Sequence, residues 1–173
     1  LRASDLSHTV LRPAAFMDDW EEMREEILSG VLAQPLPPRV HLQQVAVEDI
    51  GAFAALAFER PGAWIGREVE LAGDELTMEE MAEIFARVMG RPVRYEQVPL
   101  EEFRREFGGE LAAMYGWFER YGYQADIAAL RQEHPGLLTL EGYLRKHGWA
   151  GEGDPDGALG EDTRQHPGKE AAR

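Results

Sequence analysis

The feature that most constrains the fold is an alternation of short apolar strands and helical patterns over the first hundred residues. Residues 9–11 (Thr-Val-Leu) form a short apolar run that Arg12-Pro13 ends, and the apolar spacing over 16–30 is helical. "HLQQVAV", "REVELAG" and "VRYEQV" are predicted as further strands, with helical patterns between them. Alternating strands and helices favour an α/β fold with parallel pairing. We therefore predict that 9–12 and 68–72 are neighbouring parallel strands.

Local signals predict where two of the helices begin. Asp49 is a predicted N-cap for the helix "IGAFAALAFER", which Pro61 should end. Thr77 and Glu80 have the spacing of a capping box, and the helical pattern after them continues to Gly90.

The pattern changes after Pro99. "LEEFRREF", "GELAAMYGWFERYGY", "QADIAALRQEH" and "TLEGYLRKHGW" predict four successive helices. We expect one domain over 1–149, with an α/β part at 1–99 and a helical part at 100–149. The acidic segment 150–173 is polar and rich in glycine and proline, which predicts disorder. Its glycines at 151, 153 and 157 resemble a nucleotide-binding loop in spacing only, since no strand precedes them.

Composition excludes several classes of partner. Eighteen Lys and Arg stand against 32 Asp and Glu, giving a net charge of −14 that repels nucleic acid and anionic membrane surfaces. There is no cysteine, so disulfides and thiolate metal sites are excluded. No apolar run approaches the roughly 20 residues that span a bilayer. We expect a cytoplasmic protein, and the first residue, Leu1, suggests a fragment or a processed product.

No catalytic residue is identified from the sequence. The five histidines have no metal-ligand spacing, and there is no Gly-x-Ser-x-Gly elbow. Tyr143 lies three positions before Lys146, so the Tyr-x-x-x-Lys pair of short-chain dehydrogenases cannot form. In the aromatic run 115–123, Met114, Trp117/Phe118 and Tyr121 share one helical face, which favours a packed core over a ligand pocket.

Four stretches, in order, resemble the second half of NmrA-like NAD(P)-binding proteins, which are atypical members of the short-chain dehydrogenase/reductase superfamily. They are "SHTVLRPAAFMDDW", "VAVEDIGAFAALAFERP", "GREVELAGDELTMEEMAEIFARVMGRPVRYEQVP" and "LTLEGYLRKHGW". Together they cover about residues 5 to 149. The resemblance implies late strands of a Rossmann-type parallel sheet, followed by a helical C-terminal subdomain.

The resemblance also implies where a cofactor and a substrate would bind. The glycine-rich pyrophosphate loop of such proteins lies in their first half, which this chain does not match. The loop after the first strand matches a family region near the nicotinamide, so Pro13, Ala14, Ala15, Phe16 and Met17 are the implied cofactor-binding residues. His41 and Trp117 are predicted substrate-pocket residues by position. NAD(P) is expected in the full-length protein, without tight binding by this chain.

Two functions follow as hypotheses. In the first, the chain is the substrate-side portion of an NAD(P)H-dependent reductase or a redox-responsive regulator, with a small molecule or a regulatory protein as partner. In the second, it is a non-catalytic module that pairs with another chain, including a second copy, through an exposed sheet edge. Fold alone does not choose between them.

Overall fold

The computed structural model describes residues 6–150 and contains seven strands and eight α-helices there. The strands are β1 (Val10–Pro13), β2 (Ala15–Phe16), β3 (Val31–Gln34), β4 (His41–Val45), β5 (Glu68–Leu71), β6 (Asp74–Thr77) and β7 (Arg94–Gln97). The helices are α1 (Arg24–Leu28), α2 (Val47–Glu59), α3 (Pro61–Trp64), α4 (Met78–Met89), α5 (Leu100–Phe107), α6 (Gly109–Arg120), α7 (Ile127–Glu133) and α8 (Leu140–Lys146). The four helices predicted after Pro99 are confirmed.

Three strand pairs are parallel. β1 pairs with β5, with Val10 opposite Glu68 and Pro13 opposite Leu71, which confirms the predicted neighbours. β2 pairs with β4, and β3 pairs with β7. β6 is the exception because it runs antiparallel to β4. A backbone bond from Ala14 N to Leu71 O (2.9 Å) extends the β1–β5 pair. A second bond, from Gly73 N to Gln44 O (2.6 Å), connects the end of β5 to β4.

The single helix predicted over 16–30 is wrong. The segment instead forms β2, a 3-10 helix over Met17–Glu21, and the short helix α1. Tertiary contacts override the local pattern, because Phe16 pairs with Val45 of β4 and is therefore extended. A helix can begin only after that strand ends. The apolar spacing nevertheless identified core residues, because Met17 and Ile27 are fully buried.

Besides β2, two more strands were missed by the sequence analysis, β3 and β6. β3 directly follows Gly30, whose φ of 99° turns the chain out of α1, and it gains its partner β7 only in the folded protein. β6 lies just after Gly73, where the sequence predicted that the preceding strand simply ends. Strands of four residues give little periodicity, so pairing with a distant segment decides their structure.

The N-cap prediction for Asp49 is also wrong. Helix α2 begins at Val47 with Ala46 at the N-cap position. Asp49 lies inside the first turn and is 3% exposed. Its carboxylate accepts hydrogen bonds from Leu138 N and His134 Nε2, both at 3.0 Å. The residue therefore fastens the segment between α7 and α8 instead of capping its own helix.

The apolar core has two parts. The larger contains α4, whose buried face packs with the 3-10 helix, β3, β4 and α8. Within it, the rings of Trp20 and Phe85 meet edge to face at 5.9 Å. The smaller part surrounds Phe53 and Trp64 beneath the β1–β5 pair. The two parts together hold the β-strands and the C-terminal helices as one packed unit.

The capping box at the start of α4 is confirmed. The Thr77 hydroxyl accepts from Glu80 N at 3.2 Å, and a Glu80 carboxylate oxygen accepts from Thr77 N at 2.8 Å. These bonds from the backbone and hydroxyl of Thr77 lower the pKa of Glu80 below its ordinary 4.5.

Replacing Thr77 with alanine is expected to cost about 1 kcal/mol of unfolding free energy, measured by urea denaturation at pH 7.

The variant Glu80→Gln tests how the stability contributed by Glu80 depends on pH. Because the folded pKa of Glu80 is lowered, its contribution is present above pH 4.5 and is lost as pH falls through the folded value. The stability difference between wild type and Glu80→Gln should therefore shrink below pH 4.5. A difference that is the same at pH 7 and pH 3 would contradict the assignment.

Candidate functional site

The five implied cofactor residues form the connection at the carboxyl end of β1. Ala14 and Met17 are 3% and 0% exposed and pack inward, whereas Phe16 is 38% exposed and is the most accessible of the five. Ligands of α/β proteins bind beyond the carboxyl ends of parallel strands. The loop therefore lies where that rule places a ligand, and Phe16 offers it an aromatic surface.

Buried polar contacts fix this loop against β4. Trp20 Nε1 donates to Gln44 Oε1 at 2.7 Å, and Gln44 is fully buried. Asp18 accepts from Val47 N at 2.8 Å, which ties the 3-10 helix to the start of α2. Because both bonds cross between elements, the position of Phe16 is set by the packed fold.

Acidic and phenolic groups surround the same end of the sheet. Burial, followed by the neighbouring carboxylates of Glu22 and Asp18, raises the pKa of Asp19. Burial, followed by the charge of Asp19, raises the pKa of Tyr115 to about 12. Burial raises the pKa of Tyr123 as well, with the charge of Glu70 next and that of Asp19 after it. Both phenols are therefore hydrogen-bond donors at neutral pH and not bases.

Gln34 links this region to β7 and was missed by the sequence analysis. The Tyr115 hydroxyl donates to Gln34 Oε1 at 2.5 Å, and the Tyr95 hydroxyl lies 2.7 Å from Gln34 O and 2.5 Å from Leu36 O. Gln34 is 7% exposed, so these bonds are shielded from water. The only signal that could have found it was β3 itself, which the sequence did not predict.

The two predicted pocket residues lie apart. The Trp117 ring contacts Tyr123 at 5.2 Å, so Trp117 belongs to the aromatic cluster beside Asp19. His41 is exposed at the first residue of β4, opposite Thr77, and its charge helps to lower the pKa of Glu80. β2 pairs with the other end of β4, at Val45, so Phe16 and His41 lie at opposite ends of that strand.

The predicted packing of one α6 face is wrong for most of its residues. Phe118 is 5% exposed and belongs to the core, but Met114, Trp117 and Tyr121 are 40%, 41% and 67% exposed. These three lie next to Phe118 on the helix, at the solvent-facing edge of the same face. Periodicity showed that they share a face without showing whether that face is covered.

Residues 6–150 contain no group of three or more His, Cys, Asp or Glu side chains placed to hold a metal ion. In the same part of the chain, every helix is too short or too polar to cross a bilayer.

The comparison with known families decides the relationship. The family model described as the NmrA-like family matches residues 1–144 of the 173 in the chain. The chain belongs to the NmrA-like family. The α/β fold with its parallel strands agrees with this, since the structural neighbours are Rossmann-type proteins.

Individual relatives of this NmrA-like chain are distant. An NmrA-like family domain-containing protein of Dictyostelium discoideum is 24% identical over 137 residues, which cover 76% of this chain and 45% of that protein. A nucleoside-diphosphate-sugar epimerase from Staphylococcus aureus is 25% identical, with a TM-score of 0.70 over 83% of this chain and 53% of its own.

Two solved neighbours carry a dinucleotide. One is NmrA, a negative transcriptional regulator, in complex with NAD, with a TM-score of 0.63 and 20% identity over 84% of this chain and 53% of its own. The other is the triphenylmethane reductase of Citrobacter sp. complexed with NADP(H), with a TM-score of 0.66 and 22% identity over 81% of this chain and 53% of its own. The chain thus spans about half the length of the relatives it matches.

Proposed function

We propose that this chain is the substrate-side portion of an NmrA-like NAD(P)-binding protein, which works in full-length form as an NAD(P)H-dependent reductase or a redox-responsive regulator. The observation that carries the proposal is the exposed Phe16 at the carboxyl end of the parallel strand β1. Both activities occur among the structural neighbours, as a regulator in complex with NAD and a reductase complexed with NADP(H).

The described residues fit one end of the dinucleotide. Pro13 to Met17 would lie beside the nicotinamide, with the Phe16 ring as the accessible surface and Ala14 and Met17 as rigid backing. When bound, NAD(P)H supplies a hydride to an acceptor.

The pyrophosphate end has no matching loop in the described residues. Pyrophosphate needs a glycine-rich turn from a strand into a helix. Within 6–150, β4 enters α2 through Ala46, β6 leads directly into α4, and β7 enters α5 through Val98 and Pro99, so none of these turns contains glycine. The proposal therefore assigns the pyrophosphate loop to a different part of the full-length protein.

The aromatic cluster would supply the substrate side. Tyr115 and Tyr123 are protonated at neutral pH, and burial raises both pKa values further. The Tyr115 hydroxyl donates to Gln34 and would shape the pocket, whereas the Tyr123 hydroxyl would donate a hydrogen bond to a substrate. Asp19, whose pKa is raised by burial and by the carboxylates of Glu22 and Asp18, is the carboxyl group that would exchange a proton there. His41 and Trp117 stay predicted pocket residues and take no step here.

Cofactor titration by calorimetry tests the proposal. The 173-residue chain alone should bind NADPH without saturating below roughly 1 mM, because residues 6–150 contain no glycine-rich turn from a strand into a helix. A full-length polypeptide that includes this chain should bind at micromolar concentration, and Phe16→Ala should weaken that binding about fivefold by removing one aromatic contact. Phe58→Ala, at a residue 86% exposed on α2, is the matched control and should change nothing.

Two results would overturn this assignment. Micromolar NADPH binding by the chain alone would show that it carries its own dinucleotide site. Equal NADPH affinity in full-length wild type and Phe16→Ala would remove the β1 loop from the cofactor site. NADPH oxidation with a supplied acceptor would then separate a reductase from a regulator that binds without turnover.

The second hypothesis, a pairing module, is favoured by the edge position of β1, which pairs with β5 alone among the strands of residues 6–150. Val10 N donates to Arg67 O and Ala14 N donates to Leu71 O, so these residues direct their backbone groups toward β5. Because successive residues of a strand alternate, Leu11 directs its N–H and carbonyl away from β5. If β1 accepts a strand from another chain, amide exchange at Leu11 should slow when that chain binds. Unchanged exchange at Leu11 in the complex would exclude this edge as the contact.

A further inference from the structure

Helix α6 carries exposed apolar residues beside its buried ones. Ala112 and Phe118 are buried, and the half-buried Tyr115 packs against the core. Next to this buried stripe lie Met114 and Trp117, 40% and 41% exposed, followed one turn later by Tyr121 at 67%. A contiguous group of exposed apolar residues often marks a surface that binds a partner. The outer face of α6, formed by Ala113, Met114, Trp117 and Tyr121, is therefore of the composition that a partner covers.

The order of residues along this outer face is self-complementary. Glu110 and Arg120 are placed symmetrically about position 115, and so are Ala113 and Trp117. If two copies of α6 lie antiparallel and cross at position 115, each Glu110 meets the partner's Arg120, and each Trp117 meets the small side chain of the partner's Ala113. Large residues opposite small ones let two helices approach closely. A two-fold axis makes each of these contacts occur twice.

The surface beside the crossing point is open. A Cβ placed on Gly116 would meet no heavy atom within 4 Å, so the absence of a side chain leaves space next to Trp117. Ala113, Glu110 and Arg120 are exposed. The contacts of the proposed pair therefore require no rearrangement of the single chain.

Charge selects the same partner. The whole chain carries −14, yet the charged residues of α6 are Glu110, Glu119 and Arg120, which leaves the helix close to neutral. Glu110 and Arg120 place opposite charges at symmetric positions on this face, which a second copy in the antiparallel orientation matches.

We propose that the outer face of α6 binds a second copy of this chain, in an antiparallel pair centred at position 115. The pair is separate from the free edge of β1. In this pair Trp117 packs against Ala113 of the second copy. The proposal does not depend on NAD(P) binding, so failure of one can be told from failure of the other.

Charge exchange tests the pair on the full 173-residue chain by sedimentation equilibrium. Wild type should show a reversible monomer–dimer equilibrium at micromolar concentrations. Arg120→Glu turns two attractive contacts into two repulsive ones and should raise the dimer dissociation constant about tenfold. The double variant Glu110→Arg, Arg120→Glu exchanges the charges and should restore most of the wild-type association. Only self-pairing in the antiparallel orientation predicts that rescue.

A steric variant and a matched control complete the design. Ala113→Trp places a large side chain against the partner's Trp117 and should abolish the dimer, whereas Phe58→Ala, at an aromatic residue 86% exposed outside α6, should leave it unchanged. The substituted α6 residues are exposed, so each variant should fold. Circular dichroism and thermal melting check this. A wild-type chain that stays monomeric, or a dimer that survives both Arg120→Glu and Ala113→Trp, overturns the proposal.

Discussion

Gly73→Ala is expected to destabilise the protein by about 3 kcal/mol or more, because large losses follow steric conflicts that the core cannot relieve. A Cβ at this buried glycine would lie 2.2 Å from Leu138 O, which is a backbone atom and not the end of a flexible side chain. Gly73 also donates from N to Gln44 O at 2.6 Å, and its carbonyl accepts from Arg131 Nη2 at 2.6 Å. The main chain on either side therefore cannot withdraw without breaking these bonds.

Urea denaturation of wild type and Gly73→Ala measures the effect. Gly51→Ala is the control, since Gly51 is exposed inside α2 and a Cβ there meets nothing within 4 Å. That substitution should stabilise the protein by about 0.5–1 kcal/mol, because alanine favours the helix more than glycine does. Equal stability of Gly73→Ala and wild type would show that Leu138 can move away and that the close approach is not required.

The second large effect is expected at Asp49. Asp49→Ala removes both acceptors of Leu138 N and His134 Nε2, and leaves a part-buried backbone N–H without its bond. We expect a loss of about 3 kcal/mol, because a buried donor left unsatisfied costs its full desolvation. This exceeds the roughly 1 kcal/mol that loss of an N-cap would cost.

The neighbouring Glu48 provides a matched control for Asp49. Glu48 is exposed and pairs with Lys146 and His147, so it also joins α2 to α8. Glu48→Ala should cost less than about 1 kcal/mol, since exposed ion pairs contribute little. Thermal unfolding measures both variants. Comparable losses of stability would mean that the burial of Asp49 does not explain its contribution.

Asp49 and Gly73 both contact the short segment between α7 and α8. Leu138 donates its N–H to Asp49, and its carbonyl lies over Gly73. Arg131 adds a bond from Nη1 to Leu137 O at 2.7 Å, and Leu140 N donates to Asp74 at 2.9 Å. This segment thus connects the helical part of the chain to α2 and to the strand β6 through buried or part-buried polar bonds.

Elements with strong local signals were predictable from sequence. The capping box at Thr77 and the periodic apolar residues of α4 depend on neighbours within a few residues, and both are confirmed. The parallel β1–β5 pair was predicted from the alternation of strands and helices, because strands joined by such crossovers usually lie parallel in a sheet.

Features set by distant partners were not predictable. The 16–30 segment has helical spacing, but pairing of Phe16 with Val45 places a strand and a 3-10 helix at its start. Asp49 looks like an N-cap in sequence because its real partners, His134 and Leu138, lie far along the chain. The candidate site followed the same rule. Its loop at Pro13 came from the resemblance, whereas Gln34 depends on a strand that exists only when β7 is present.

The strand pairing also has a consequence for the ribosome. β3 lies between β1 and its partner β5, and its own partner β7 lies beyond β5, so the two pairings interleave along the chain. During translation β1 must wait for β5, which ends at Leu71, and β3 must wait for β7, which ends at Gln97. Parallel pairs closed over long loops form slowly. Until β5 and β7 have left the ribosome, the unpaired β1 and β3 are therefore exposed to chaperones and proteases.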